Sequence, residues 1–570
     1  MKFLNKDYDI SIWSGQKLDK VIAMDTETTI VPFHMTPDLV TCQAYDGGSN
    51  VYFIPTNRLN AFFNRHWDNT FIFHNASFDA DVLEKHIGRK RIYEIYDENR
   101  IKDTSTMYRL LHLASIGFVP FKYNLAFLSK KYLNIDIEGK GDIQCDFSRF
   151  LNQEITDIPD THLEYAAKDV IATYHVYWAL SSLIAPYDTY GTMLSHDIQV
   201  KGELALTHIR KNGISFNLKE RDRWLDEKNK ELSILGERLG TWGWVRGTKG
   251  IKQRYEDIIT RLGIGDKLPR TEDGSISSKS EDLEEYRSLP FISDYLQYVE
   301  LEKATTFVRD LNESRVHPKY NSLVNTGRTS CSKPNFQQLP RLGGIREMFG
   351  ASEGNTLIIT DYSTLELCTL SQVLLNQYGE STMGDLINEG RDLHRYYASL
   401  LHNISEGHVS KNQRQEAKAA NFGFPGGLGI DTFRKFSSGY GLELSESQAQ
   451  SMKDAWFRAF PEMEGYLRNE EGNVYTTTGR RRGSTTYCAE KNTPFQGLAA
   501  DGAKLALYNL DKAGFRIVGF VHDEIITEVS TEKAEEMLVS QEKIMIDSMQ
   551  QVVPDIKISV ESQISGVYCK

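Results

Sequence analysis

The sequence predicts a multidomain protein of mixed α/β and α+β architecture, and three observations carry this. The chain has 570 residues, too many for one hydrophobic core and suited to three or four domains. Residues 1–190 alternate strand-like and helix-like segments, as an α/β unit does. The rest is mostly helical, yet it carries an apolar strand at Thr356–Thr360 and a strand–turn–strand at Phe515–Val529.

Composition narrows the class. Apolar residues make up 40% and charged residues 25%, as in an ordinary globular protein. No run of about 18 apolar residues occurs, and MKFLNKDYDI is no signal peptide, so a cytoplasmic protein without a membrane partner is expected. The six cysteines (Cys42, Cys145, Cys331, Cys368, Cys488, Cys569) form no C-x-x-C pair, so reduced structural thiols are expected rather than zinc ligands or disulfides. Net charge is −12, which argues globally against a nucleic-acid binder. Local windows differ: Val245–Arg270 holds seven basic residues against three acidic, and Asn325–Gly350 and Asn473–Lys491 each hold four against one. An acidic body with basic stripes fits a groove that grips phosphates, although uneven solvated helix faces would look similar.

Taken in order, Val21–Met24 reads as a strand ending in Asp25-Thr26-Glu27, and Val51–Ile54, after the turn signal Asp46-Gly47-Gly48, reads as a hairpin partner strand. Phe71–Phe73 is a third strand, leading into His74-Asn75-Ala76-Ser77-Phe78-Asp79. Helices are expected at Asp79–His86, Thr104–Leu113 and Thr161–Leu183. A mostly helical region runs from Tyr190 to about Asn312, interrupted by the turn-rich Gly263–Ser280. Val324–Pro340 is polar and irregular, and a helical block spans Met383 to about Arg468. Within that block Pro425 should end or kink a helix near Phe424, because proline lacks an N–H and clashes with the preceding turn.

Two acidic sets could hold metals. Asp25 and Glu27 share one side of a strand, and Tyr165 and Asp169 lie one turn apart on a helix. With Asp79 they make four carboxylates able to hold two hard cations, which could flank a phosphodiester while Tyr165 orients a water. The second set is Asp361, at the end of the Thr356–Thr360 strand, with Asp523 in the turn VHDEI. That pair suits Mg²⁺, which takes one or two carboxylates and completes its shell with substrate phosphates. Alone, Asp361 would read equally as a helix N-cap. Between the sets, Arg414, Lys418 and Phe422 fall at i, i+4 and i+8 on one helix face and could hold a triphosphate and stack on a base or sugar; an amphipathic helix with a solvated basic face is the alternative.

These residues together resemble DNA polymerases of family A. Asp361-Tyr362-Ser363 with Glu366 resembles the first palm motif, Arg414-x3-Lys418-x3-Phe422 the fingers-helix motif, and His522-Asp523-Glu524 the second palm motif. Thr326-Gly327-Arg328 through Pro340, Asn492 with Gln496-Gly497 and Ala499–Asp501, and Lys267–Ser278 resemble further family segments. The N-terminal set resembles a DEDD-type 3′–5′ proofreading exonuclease with a tyrosine four before the last aspartate.

The resemblance implies a ribonuclease H-like exonuclease domain (1–190), followed by a right-hand polymerase. The latter would comprise thumb and connecting segment (191–320), a first palm segment (321–382), fingers (383–460) and a second palm segment (461–570). It leaves no room for a 5′-nuclease domain and matches the length of bacteriophage replicative enzymes. It implies two Mg²⁺ per active site, with Mn²⁺ as a substitute, held by Asp361 and Asp523 and by Asp25, Glu27, Asp79 and Asp169. Catalytic roles fall on Asp361, Asp523, Lys418, Glu524, Asp25, Glu27, Asp79, Tyr165 and Asp169. Nucleotide contacts fall on Arg414, Lys418, Phe422, Glu366 and Tyr362, with Glu366 under the sugar excluding a 2′-hydroxyl. Primer–template contacts fall on Arg328, Asn492, Gln496 and His522. The implied partners of a monomer are primer–template DNA and dNTPs; a helicase, clamp or single-strand binding protein is not identified by the sequence. Two departures stand out. Gly426-Gly427 occupies the place of the usual Tyr-Gly, removing the tyrosine that normally works with Glu366, and Thr364–Cys368 replaces Gln-Ile-Glu-Leu-Arg.

Overall fold

The computed structural model describes residues 1–31, 34–137, 144–469 and 472–569, with the side chains of 144–146 left out, so Cys145 lies outside the described residues. The other five cysteines are free thiols.

The N-terminal unit is a six-stranded sheet built from β1 (Asp9–Ile12), β2 (Val21–Thr28), β3 (Leu39–Tyr45), β4 (Asn50–Ile54), β5 (Thr70–Phe73) and β6 (Ile101–Asp103). The spatial order is β1-β4-β3-β2-β5-β6. β2 runs antiparallel to β3 and parallel to β5. It continues past Met24 to Thr28 because β3 pairs with it as far as Thr28↔Leu39, whereas β5 reaches only Ala23. Asp25 and Glu27 therefore project beyond the carboxyl end of a parallel neighbour, where open α/β sheets place their sites.

Helices α1 (Ala76–Ile87), α2 (Thr104–Ile116) and α3 (Asp160–Ile184) cover the sheet. The Asp103 carboxylate accepts the Ala76 N–H at 2.6 Å and the Ser105 N–H at 2.7 Å, which fixes the starts of α1 and α2 together. The faces divide by residue parity. Ala23 packs in a core with α3, and Ile22 and Met24 pack in another with α1.

Helix α4 (His196–Asn212) leads to the packed pair α5 (Leu218–Thr241) and α6 (Pro290–Arg309). Strand β7 (Asn355–Tyr362) and helix α7 (Leu365–Tyr378) follow, then α8 (Leu393–His402), α9 (Lys411–Gly423), α10 (Ile430–Ser438) and α11 (Glu446–Ala459). Helix α9 gives way at Phe424–Gly426 to a single 3-10 turn closed by Gly427 at φ 78°, as Pro425 requires. The chain ends with α12 (Tyr487–Lys512), β8 (Arg516–Val521), β9 (Glu524–Ser530), α13 (Ala534–Gln550) and β10 (Val560–Ser565).

Strands β8-β9-β7-β10 form an antiparallel sheet. β7 outruns the expected Thr360 because β9 and β10 flank it through Asp361↔Glu524 and Tyr362↔Val560. Asp361 is thus strand, not the N-cap that it could be if read alone, and the residue before α7 is Thr364. The sequence reading missed β10, whose VESQIS is an edge strand with little buried apolar signal.

The N-terminal unit is joined to the rest through α4 and α12. His208 lies 2.6 Å from Asp511 and 3.5 Å from Asp81, while Arg89 bridges to Asp511 at 2.8 Å. Burial opposes a charge on His208, but the two carboxylates outweigh it and raise its pKa from 6.5 to about 9. A pKa raised in the fold contributes stability that is complete below pH 6.5 and is lost as pH rises through about 9. Denaturant midpoints should therefore fall between these pH values, and fall less in His208→Gln; an unchanged pH slope in the variant contradicts this assignment.

Candidate active sites

The first centre is built at the end of β2. Carboxylate oxygens of Asp25, Glu27 and Asp169 lie within 4.8 Å of one another. Gln43 donates to Asp25 Oδ2 at 2.8 Å, orienting it from β3. Tyr165 is buried one turn before Asp169; burial, then the charges of Asp169, Glu27 and Asp25, push its phenol pKa well up, so the hydroxyl stays protonated. Three hard oxygen donors this close fit a divalent cation such as Mg²⁺ or Mn²⁺, and their mutual repulsion favours one.

The expected fourth carboxylate, Asp79, lies outside that grouping of three. Asp79 Oδ1 accepts the Thr26 N–H at 3.0 Å and the Thr26 hydroxyl at 2.7 Å, and Asp79 is not among the three clustered residues. Parity explains the arrangement: Asp25 and Glu27 face α3, whereas Asp79 rises from α1 on the Thr26 side of the sheet. Burial raises its pKa to about 7, against the Thr26 hydrogen bonds that lower it.

The second centre lies where β7 and β9 meet. Asp361 and Glu524 are directly opposed, and Asp523 precedes Glu524 in a turn whose His522 has φ 60°. A pocket beside them is lined by Arg328, Glu366, His522 and Asp523. Asp361 is half-buried, and His522 and Asp523 stand at the rim of that pocket. Asp361 at the end of β7 and Asp523 in the turn before β9 again supply hard oxygens suited to Mg²⁺. Glu366, at the start of α7, is ion-paired with Arg328.

Two of the expected site residues are buried. Tyr362 is 4% exposed and donates its hydroxyl to the Met545 carbonyl at 2.7 Å. One residue beyond Asp361, its side chain falls on the opposite face of β7, against α13, so it cannot offer its ring to a nucleotide. Glu524 is 2% exposed and accepts from the Tyr568 hydroxyl at 2.8 Å, so it backs Asp361 rather than entering the cleft.

Helix α9 presents the basic face expected of it. Arg414 Nε donates to Asp392 at 2.7 Å, and the Lys418 amine stands 6.0 Å from the Phe422 ring centre. Sequence reasoning missed His394, buried 5.7 Å from the Phe422 ring and 2.9 Å from the Asn421 amide nitrogen. Burial lowers its pKa to about 4, with Arg414 and Lys418 adding to the effect, so it is a neutral prop for the basic face. Its sequence signal was Asp392, the cap of α8, two residues before it. Asn492 and Gln496 follow one another along α12, with the Gln496 amide donating to Asn492 at 3.4 Å.

The two units that carry these carboxylate centres match two families. Residues 251–568 match DNA polymerase family A, and residues 9–185 match a 3′–5′ exonuclease. The chain belongs to DNA polymerase family A. It is 33% identical over 323 residues to DNA polymerase I of Aquifex aeolicus, covering 53% of this chain and 55% of that one. It is 28% identical over 471 residues to DNA polymerase I of Chloroflexus aurantiacus, covering 75% of this chain and 48% of that one. The thermostable DNA polymerase I of Thermus aquaticus is 32% identical over 313 residues, 49% of this chain and 36% of that one. The chain thus spans about half the length, or less, of these relatives. The POL domain of Pol1 from M. smegmatis, solved with DNA primer-template and dNTP, shares the fold at a TM-score of 0.74 and 20% identity, covering 96% of this chain and 95% of that one.

The first centre makes a prediction independent of turnover. Mn²⁺ titration followed by electron paramagnetic resonance should show a site weakened at least about tenfold in Asp169→Asn, as expected for loss of a ligand charge. Unchanged Mn²⁺ binding would place the cation elsewhere.

Proposed function

We propose that the protein is a template-directed DNA polymerase that extends a primer 3′ end with dNTPs and proofreads with its N-terminal 3′–5′ exonuclease. The observation that carries this is the pairing of two separate carboxylate centres, three clustered carboxylates on one sheet and Asp361 beside Asp523 on another, in a chain of family A. In this reading residues 1–190 are the exonuclease domain, 191–320 the thumb and connection, 321–382 and 461–570 the palm, and 383–460 the fingers. The protein acts as a monomer in the cytoplasm on primer–template DNA.

At the polymerase centre Asp361 and Asp523 would hold Mg²⁺, which when bound supplies Lewis-acid charge to the primer hydroxyl and the phosphates. The remaining work falls to side chains. Arg414 is held by Asp392 through Nε, which leaves its terminal nitrogens for the outer phosphate oxygens. Lys418 neutralises the phosphates nearer the scissile bond and gives a proton to departing pyrophosphate. Phe422 stacks on the incoming nucleotide, and Glu366 lies below its sugar. Glu524, tied to Tyr568, keeps Asp361 aimed at the cleft. Arg328, Asn492, Gln496 and His522 contact the primer–template near its end, where minor-groove bonds check geometry with little dependence on sequence. Catalysis is then mostly positioning and charge.

At the exonuclease centre Asp25, Glu27 and Asp169 would hold cations, and the protonated Tyr165 hydroxyl can orient the attacking water. Asp79 supports the group through Thr26.

A labelled primer–template incubated with Mg²⁺ tests this on a gel. Extension is expected with dNTPs and 3′ shortening without them. Asp523→Ala should lower extension by at least about a thousandfold, as loss of an essential charge-stabilising group does, and spare shortening. Asp25→Ala should do the reverse. Absence of extension by the unaltered protein refutes the polymerase reading, and shortening that survives Asp25→Ala refutes the first centre.

A further inference from the structure

Arg109 is a buried cation of the N-terminal unit whose donors point into the polymerase unit. It sits on α2 at 1% exposure, where a guanidinium without partners would be costly. Nη2 donates to the Asn321 side-chain oxygen at 2.6 Å and to the Leu323 carbonyl at 3.1 Å. Nη1 donates to the Ser322 hydroxyl at 3.2 Å, and the Glu203 carboxylate, 3.6 Å away on α4, balances the charge. Three acceptors on consecutive residues suit the rigid fork of arginine, which a lysine ammonium does not reproduce. Leu323 is itself fully buried in the core that α3 builds with Ala23, and the Val119 N–H donates to the Asn325 side-chain oxygen at 2.8 Å. Residues 321–325 are thus docked on the N-terminal unit along their whole length.

Arg328 follows three residues later, at the end of a closed turn. The Gly327 N–H donates to the Val324 carbonyl at 2.8 Å, and the Val324 N–H donates to the Arg328 carbonyl at 2.9 Å. Gly327 takes φ 87°, and the buried Lys504 amine donates to its carbonyl at 2.7 Å. A turn tied this tightly passes any displacement of 321–323 on to Arg328, which pairs with Glu366 and lines the pocket beside Asp523. The same end of α2 also reaches α12. The Gly483 N–H donates to the Leu113 carbonyl at 3.0 Å. Arg482 donates to the Gly117 carbonyl at 3.0 Å and to the Thr493 hydroxyl, next to Asn492, at 3.1 Å.

We propose that Arg109 is a positioning residue for primer extension: from the exonuclease unit it fixes residues 321–323 and, through their turn, aims Arg328 at the primer–template. The inference rests on the polymerase reading above and goes beyond it, because the polymerase centre's hold on DNA then depends on a side chain of the other unit. Its effect falls on the DNA rather than the nucleotide. Arg109 leads to Arg328, whereas Arg414, Lys418 and Phe422 are set separately on α9.

Arg109→Met keeps much of the side chain's length and removes the fork. Extension by one dNTP is measured while the primer–template is titrated, with a phosphorothioate linkage at the primer end to hold back shortening. KM for the primer–template should rise at least about fivefold, as expected for losing a hydrogen bond to a charged group, with KM for the dNTP within about twofold. Shortening of single-stranded DNA should be unchanged, which reports a folded N-terminal unit. Asn321→Ala, at an exposed position, removes one bond and leaves the buried cation in place. It should raise KM for the primer–template at least about twofold, and it decides the question if Arg109→Met fails to fold. Adding Arg109→Met to Arg328→Ala should change that constant by less than about twofold, since the two act in series. Smaller rises in the single variants, an equal rise in KM for the dNTP, or a larger change in the double variant overturns the proposal. Absence of extension by the unaltered protein overturns the polymerase reading and this inference with it.

Discussion

The antiparallel register of β7 against β9 is the constraint on which the second centre depends. Pairing runs from Asn355↔Ser530 to Asp361↔Glu524, so each residue of β7 has its face assigned. Leu357 and Ile359 enter the core with Phe336, Phe349 and Tyr568, and Asp361 continues that face to the sheet's open end. Thr360 and Tyr362 turn to α13, where Thr360 accepts from Gln541 at 3.0 Å and Tyr362 donates to Met545. A slip of one residue would exchange the faces, burying the aspartate against α13 and exposing apolar side chains, a large cost at so fully covered a strand. The fold thus ties the position of the carboxylate to burial of its neighbours.

The same logic of parity governs β2. Asp25 and Glu27 share a face with α3 and find Asp169 there, while Thr26 shares the other with α1 and finds Asp79. The two centres arise from one physical rule applied to two sheets. The N-terminal unit shares a core with α4 and α12, where Tyr508 packs on Tyr93 at 5.2 Å between ring centres, and charged contacts such as His208 with Asp511 and Arg89 with Asp511 reinforce the join.

Much of this was legible in the sequence, and where it was not the reasons are local. The strand ending in Asp361, the turn at His522–Glu524, the helix break at Phe424 and the pair Asp25–Glu27 all carry short-range signals: apolar runs, a turn, a proline, a period of two. That the Tyr362 side chain turns away from Asp361 follows from adjacency in a strand, which means opposite faces. That Asp79 lies outside the grouping of three was not legible, because its spacing says nothing about which side of the sheet α1 covers. His394 and β10 were missed because one is recognisable only through its contact with Phe422 and the other is a polar edge strand.

In the proposed mechanism, strand register brings Asp361 and Asp523 together to hold the cations of nucleotide transfer. A crystal structure with a dideoxy-terminated primer–template, an incoming dNTP and Mn²⁺ is the sharpest check, because anomalous scattering locates the ions independently of activity. Anomalous peaks are expected within carboxylate-bonding distance of both Asp361 and Asp523, with the triphosphate on Arg414 and Lys418. Ions held away from either aspartate, or a triphosphate bound elsewhere than on α9, would contradict it.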